Sequence, residues 1–255
     1  RIWSKLMKYK YKAKNPKSMQ LRFHTQTAGF SLTAQQPENN ITRTAFQAMA
    51  AVLGGTQSLH TNSMDETLAL PSQKAAEIAL RTQQVLAYET GIVNVVDPLG
   101  GSWYIEELTN NMEEATNNYF SKIDSFGGVI PCIENGYLQK EIADSSSEYN
   151  KLIESKDRVV VGMNKFNKEN EKIDIPILKI SKEVEDNQIR SLKEIKSSRN
   201  DDKVISKLNL IENTCKTSQN LVPVIVDAVL EYATLGEIVT SMKNYFGEWT
   251  ENSII

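Results

Sequence analysis

The sequence predicts an α/β protein. Parallel strand–helix units fill residues 1–90, and a mainly helical region fills residues 91–255. Three observations carry that prediction. Two strand–loop–helix units follow each other between Met19 and Glu89, and consecutive units of this kind pair their strands in parallel through crossovers. Both units close on glycine, at Gly54-Gly55 and at Gly91, where helices commonly stop. Past Gly91 the alternating style gives way to long stretches of helical periodicity.

Each element has its own local warrant. Ile2, Leu6 and Tyr9 recur at helical spacing, with lysines on the other face, so the chain opens on an interrupted amphipathic helix. Those lysines read as a solvated face. The first strand is expected at Met19–Thr25 and its helix at about Thr42–Leu53, with Ala45, Ala48, Met49 and Val52 as the apolar stripe. The second strand is expected at Thr56–Thr61. Its helix should run from about Ser72 to Glu89. Ile92–Val96 is a short β-branched stretch, and the turn Asp97–Ser102 opens a long helix to about Phe126 that Gly127-Gly128 stops. A helix at Leu138–Glu154, an isolated strand at Val159–Val161 and a surface loop at Phe166–Asp174 follow. Helices are then expected at Glu183–Ser197, Asp201–Lys216, Val222–Tyr232 and Leu235–Phe246. The last is set by a T-x-x-E capping box at Thr234 and Glu237 and by Gly247 as its stop.

Composition narrows the function. The 255 residues are 40% hydrophobic and 24% charged, with 12 Gly and 7 Pro, which excludes collagen-like, disordered and disulfide-framework classes. A formal net charge of −3 argues against a general nucleic-acid binder. No apolar run approaches the ~18 residues of a membrane span. The two cysteines, Cys132 and Cys215, lack metal-ligand or redox spacing and fit a reducing, cytoplasmic setting. The chain starts at Arg1 inside a patterned helix, so a fragment or a subdivided gene product is expected.

The chemistry should lie on the two strands. Leu21, Phe23 and Thr25 alternate with Arg22, His24 and Gln26, giving one apolar and one polar face. Burying the polar face without partners would cost ~1–3 kcal/mol per group. It is therefore either solvated or lines a cavity for a polar ligand. The second strand repeats the theme with Gln57, Ser58, His60, Thr61 and Asn62. Both strands end in polar residues at their carboxyl ends, where α/β sites lie. His24 and His60, the chain's two histidines, are either site groups or core histidines satisfied by backbone. Neither has the neighbours of a metal site, so no metal ligand is assigned. There is no G-x-S-x-G and no phosphate-binding glycine loop.

Longer runs add a resemblance. R-F-H-T-Q-T-A-G-F-S-L-T-A-Q-Q-P-E-N-N-I-T-R-T-A (Arg22–Ala45) and A-V-L-G-G-T-Q-S-L-H-T-N-S-M-D-E-T-L-A-L-P (Ala51–Pro71) are two such runs. D-P-L-G-G-S-W-Y (Asp97–Tyr104), V-G-M-N-K-F (Val161–Phe166) and V-D-A…T-L-G-E-I (Val226–Ile238) extend them. Together they resemble the large, catalytic subunit of the methylmalonyl-CoA mutase family, the acyl-CoA mutases that use adenosylcobalamin. The resemblance covers essentially the whole chain. It implies the C-terminal end of a (β/α)₈ TIM barrel, namely its last two strand–helix units, followed by the family's helical linker region. It also implies isomerisation of the methylmalonyl-CoA/succinyl-CoA carbon skeleton by a radical mechanism.

By matching position, the resemblance assigns His24, Gln26 and Gln57 to the coenzyme A part of the substrate. It assigns Gly29 to close approach of the corrin, and Glu66 and Ala69 to the cobalamin and its adenosyl group. The alternative for Gly29 is a turn that needs positive φ. His60 takes a structural hydrogen-bonding role. Thr67 departs from the family's Ala. The family's radical-steering histidine, tyrosine wedge and carboxylate-binding arginine lie on earlier strands, so no catalytic residue is assigned here. The cobalt-ligating D-x-H-x-x-G is absent from this sequence, so the ligand is expected from another domain or subunit. Implied partners are the acyl-CoA, a cobalamin-binding subunit, the rest of the barrel and an oligomeric assembly, with no nucleic acid and no membrane. Two alternatives stand beside this reading. One is a sister mutase acting on isobutyryl-, ethylmalonyl- or 2-hydroxyisobutyryl-CoA. The other is a non-catalytic fragment that docks a cobalamin-binding subunit.

Overall fold

The computed structural model describes residues 1–171 and 175–251. Its elements are α1 (Ile2–Lys5), β1 (His24–Gln26), α2 (Asn39–Leu53), β2 (Ser58–His60), α3 (Gln73–Glu89), α4 (Trp103–Ser125) and α5 (Val129–Glu134). They continue with α6 (Tyr137–Ser155), α7 (Lys182–Ser198), α8 (Asp201–Cys215), α9 (Val222–Leu230) and α10 (Leu235–Phe246). This is a helix-rich α/β fold with one small parallel sheet. β1 and β2 pair in parallel, in the register His24–Ser58, Thr25–Leu59 and Gln26–His60. Among the described residues each strand has one partner, so both outer edges of the pair are open.

The strands are shorter than their sequence pattern. Met19 closes a 3₁₀ turn, Pro16–Met19, which Pro16 starts and the Asn15 side chain caps through Lys17 N–H. Gln20–Phe23 is outside the ladder, and Leu21 and Phe23 are exposed on the side expected to be apolar. Val159–Val161 forms no strand either. Its one bridge, Val161 to Lys165, closes a tight turn. The Asn164 side chain takes over the bonding there, accepting from Val160 N–H (2.7 Å) and donating to the carbonyls of Ile153 (2.9 Å) and Arg158 (2.7 Å). Ile92–Asn94 is a 3₁₀ turn, and α5 is a helix the pattern does not predict. Residues 166–171 are irregular as expected, and the end of that expected loop lies outside the described residues.

The chain divides into two compact units at Leu178/Lys179. Contacts therefore group residues 91–178 with the strands, whereas sequence style separates them at 90. The reason is local: the 159–171 segment bonds back to Gln36 in the loop between β1 and α2 and to Arg43 in α2.

In the first unit the buried stripe of α2 is Asn40, Thr44 and Ala48, at i, i+4, i+8, with Ala45, Met49 and Val52 only half-buried beside it. α3 answers with Ala75, Ala79 and Leu86. Small residues let the helices approach closely, and α3 starts on a Ser72 cap to Ala75 N–H. It ends before Gly91, whose φ of +70° only glycine adopts cheaply.

The second unit is built by α8, α9 and α10 around Ile211, Cys215, Ala228 and Ile238, with Leu208, Leu221, Val224, Ile225, Ala233 and Met242 against them. Its helices start on Asn200 and on the expected Thr234–Glu237 capping box. Cys132 and Cys215 are buried free thiols. The accessible surface is 18,818 Å², whereas two separate compact units of these sizes would show roughly 13,000 Å². Trp103, Tyr88, Val96 and Phe30 are among the large apolar side chains left over four-fifths exposed.

Candidate functional site

Pleating puts alternate strand residues on opposite faces. Thr25 and Leu59 are half-buried, while His24, Gln26, Ser58 and His60 are exposed and share the other face. That face carries its own contacts. His24 Nδ1 lies 2.7 Å from Ser58 Oγ, and Gln26 Nε2 donates to Asn62 Oδ1 at 3.3 Å. The opposite face is tied down: Thr61 Oγ1 donates to the Ala79 carbonyl and accepts from Gln83 Nε2.

Two loops leave the carboxyl ends of the strands side by side. Thr27 N–H donates to the His60 carbonyl, and Thr27 Oγ1 accepts from Asn62 N–H at 2.9 Å. The second loop is polar yet buried: Asn62, Ser63 and Asp65 are 2%, 4% and 0% exposed. Asp65 Oδ2 accepts from Ser72 N–H at 2.9 Å, which fixes the loop to the start of α3. Burial is the largest single influence and opposes charge on Asp65, but the Ser72 N–H together with the neighbouring serine hydroxyls and backbone outweighs it and holds the carboxyl below its ordinary range. Asn62 Nδ2, Ser63 Oγ and Asp65 Oδ1 have no hydrogen-bond partner among the described residues. Buried polar atoms are rarely left so.

Gly29 faces this loop. A Cβ there would lie 3.0 Å from both Asn62 Nδ2 and Glu66 Oε1. Its φ is outside the left-handed region, so the turn alternative is set aside. A side chain here would crowd the tips of two neighbouring side chains, whereas the backbone conformation suits any residue. Glu66 is exposed and Ala69 half-buried, with Ala69 N–H donating to the Asp65 carbonyl. Glu66, Ser63, His60 and Gln83 also line a cleft of about 250 Å³ against α3.

Gln26, Gly29 and Glu66 therefore come together at the carboxyl end of the sheet, while His24 lies beside Ser58 at its amino end. Gln57 does not join them. It sits at the amino end of β2, where Oε1 accepts from Phe23 N–H (2.8 Å) and Nε2 donates to the Gly55 carbonyl (2.6 Å). The His60 ring makes no hydrogen bond among the described residues, so its expected structural bond is not found. Sequence reasoning did not pick out Asn40, Arg43, Ser63 or Asp65. The available signal was the polar run T-N-S-M-D-E between a strand and a helix, too polar to be buried without fixed partners.

The fold and site define an α/β protein with a polar seat at the carboxyl ends of parallel strands. Residues 1–248 match the family model described as methylmalonyl-CoA mutase. The chain is 40% identical over 255 residues to the 2-hydroxyisobutanoyl-CoA mutase large subunit of Aquincola tertiaricarbonis, covering 100% of this chain and 45% of that protein. It is 39% identical over 251 residues to the methylmalonyl-CoA mutase of Rhizobium meliloti (strain 1021), covering 98% of this chain and 35% of the relative. The mitochondrial methylmalonyl-CoA mutase of Homo sapiens is 42% identical over 256 residues, covering 99% and 34%. The chain belongs to the methylmalonyl-CoA mutase family. It spans between about a third and a half of the length of these relatives. Among the described residues no helix is long and apolar enough to cross a membrane.

Proposed function

We propose that this chain forms the last two strand–helix units of a (β/α)₈ barrel, with the helical region after it, in an adenosylcobalamin-dependent acyl-CoA mutase. The observation that carries the reading is the junction of the polar strand face with the Gly29–Asn62–Glu66 recess, at the carboxyl ends of one parallel pair.

The residues fit both ligands. His24 and Gln26 offer donors and acceptors to the amides and hydroxyls of a pantetheine arm along the strand face. Gln57 serves the same arm from the amino end, using the donor and acceptor capacity left by its two backbone bonds. Gly29, Glu66 and Ala69 form the cofactor side of the mouth. The unpartnered Asn62 Nδ2, Ser63 Oγ and Asp65 Oδ1 give that side spare polar capacity. Adenosylcobalamin supplies a cobalt–carbon bond that opens homolytically. The chain's part is to bind, orient and exclude water around reactive species. The cobalt ligand comes from a cobalamin-binding subunit or domain, and the exposed apolar surface suits cover by the rest of the barrel within an oligomer. The buried free thiols suit the cytoplasm.

The test is isomerisation by the assembled enzyme that contains this chain, with methylmalonyl-CoA and, in a second arm, 2-hydroxyisobutyryl-CoA. Turnover that requires adenosylcobalamin is expected, and none from the isolated chain. Turnover by the assembly without cobalamin would overturn the reading.

A further inference from the structure

The turn Val161–Phe166 takes no part in the site described above, yet it is bonded to the mouth. Arg43 Nη2 donates to the Val161 carbonyl at 2.7 Å. Gln36, held at a φ of +47°, donates from Nε2 to the Phe166 carbonyl at 2.9 Å. Gly162 leaves room for the Gln36 amide, whose atoms would lie 3.0–3.3 Å from a Cβ at that position. Asn164 makes the turn itself stiff through its three bonds.

From Arg43 the bonding continues inward. Arg43 Nη1 donates to Thr33 Oγ1 (3.0 Å) and to Asn40 Oδ1 (2.8 Å). Asn40 is fully buried. Its Oδ1 also accepts from Thr33 N–H (3.0 Å), and its Nδ2 donates to the carbonyls of Thr33 (2.8 Å) and Met64 (2.9 Å). Every donor and acceptor of that amide is used. Thr33 belongs to the loop that carries Gly29, and Met64 to the loop that carries Asn62 and Glu66. Asn40 thus sets the spacing of the two mouth loops, and Arg43 anchors that bracket to the 161–166 turn. A guanidinium can do this because its donors point in two fixed directions; an ammonium cannot span both positions.

We infer that Arg43 is a positioning residue for the cofactor side of the mouth, acting through Asn40 and braced by the Val161–Phe166 turn. The inference rests on the proposed cobalamin role of Gly29 and Glu66. The test uses Arg43→Lys and Asn40→Asp in the assembled enzyme. Ala48→Gly, which loosens the buried stripe of α2 without touching the bracket, is the stability control. Two readouts are taken. Amide hydrogen exchange of the cofactor-free protein should rise across 29–36 and 61–66 in the Lys and Asp variants and stay unchanged in α3. Adenosylcobalamin Kd should rise about tenfold or more, the scale of a lost bond to a charged group, while KM for the acyl-CoA stays within about twofold. General loss of fold would lower the active fraction and leave the Kd of the surviving enzyme alone, as Ala48→Gly should show. Unchanged exchange in both loops overturns the positioning role. Loops that loosen while Kd stays constant overturn its direction toward the cofactor. An unmodified assembly that binds no cobalamin overturns the functional reading itself, a result the exchange arm tells apart.

Discussion

Arg199 grips Glu237 with two parallel hydrogen bonds, Nη1 to Oε2 at 2.8 Å and Nη2 to Oε1 at 2.7 Å. Glu237 is also the third residue of α10 and closes its capping box, so one carboxylate both starts a helix and ties it to the residue that ends α7. The Arg199 bond, joined by Thr234 N–H and opposed by burial, holds the carboxyl far below its usual range. A carboxyl lowered by folding adds stability above its unfolded pKa of about 4.3. That stability is lost as pH falls below it. The second unit should therefore lose resistance to denaturation steadily below about pH 4, and Glu237→Gln, which keeps the cap, should flatten that dependence. Arg199→Ala should cost about 2 kcal/mol at neutral pH. A pH series of urea midpoints checks both. Equal acid sensitivity in the Gln variant would remove Glu237 from the explanation.

Asp65 gives the first unit a similar dependence. Its carboxyl sits below the ordinary value because the Ser72 N–H and the other hydrogen bonds around it together outweigh burial, so its contribution is likewise present above an unfolded pKa of about 3.9 and lost below it. Asp65→Ala leaves Ser72 N–H without its acceptor and should cost about 1–3 kcal/mol. Thermal unfolding of the variant, followed near the start of α3, measures it.

Gly29→Ala should separate crowding from stability. The backbone there accepts alanine, and Glu66, an exposed side chain, can turn away. Cofactor-free unfolding should change by less than about 1 kcal/mol, whereas cobalamin affinity in the assembled enzyme should fall. If the crowding acts through Glu66, Gly29→Ala combined with Glu66→Ala should lose less than the two single effects added. Strict additivity in that cycle would argue that Gly29 touches the cofactor independently.

Gln57→Ala should raise KM for the acyl-CoA about five- to thirtyfold and leave kcat nearly level, because a lost pantetheine bond is made equally in ground and transition states. It also removes the acceptor of Phe23 N–H, but that region is exposed and water can replace it. A fall in kcat at constant KM would assign Gln57 a different task.

Helix limits were the most legible part of this chain because caps act within one turn. The Thr234–Glu237 box and Gly247 mark α10 in sequence as they do in space. Strand length was not legible, since it depends on a partner: Met19–Phe23 has the right residues and no ladder. α5 was missed because Pro131 reads as a breaker, although its missing N–H costs nothing in a first turn. His24, Gln26 and Gly29 could be read from one long motif and Glu66 from a second. The bracket around Arg43 could not. It reaches across 118 positions to Val161, and no periodicity links such residues.

The parallel pair also sets an order of events. β1 and β2 are three residues each, and the whole of α2 lies between them. So short a ladder cannot repay the closure of that connection by itself, and parallel pairing has no hairpin to nucleate it. α2 and α3 must dock first and carry the strand ends together. The sheet is then among the last parts of the unit to form and the first to open, so the polar strand face proposed to meet the substrate should be assembled late in folding although it comes early in the chain.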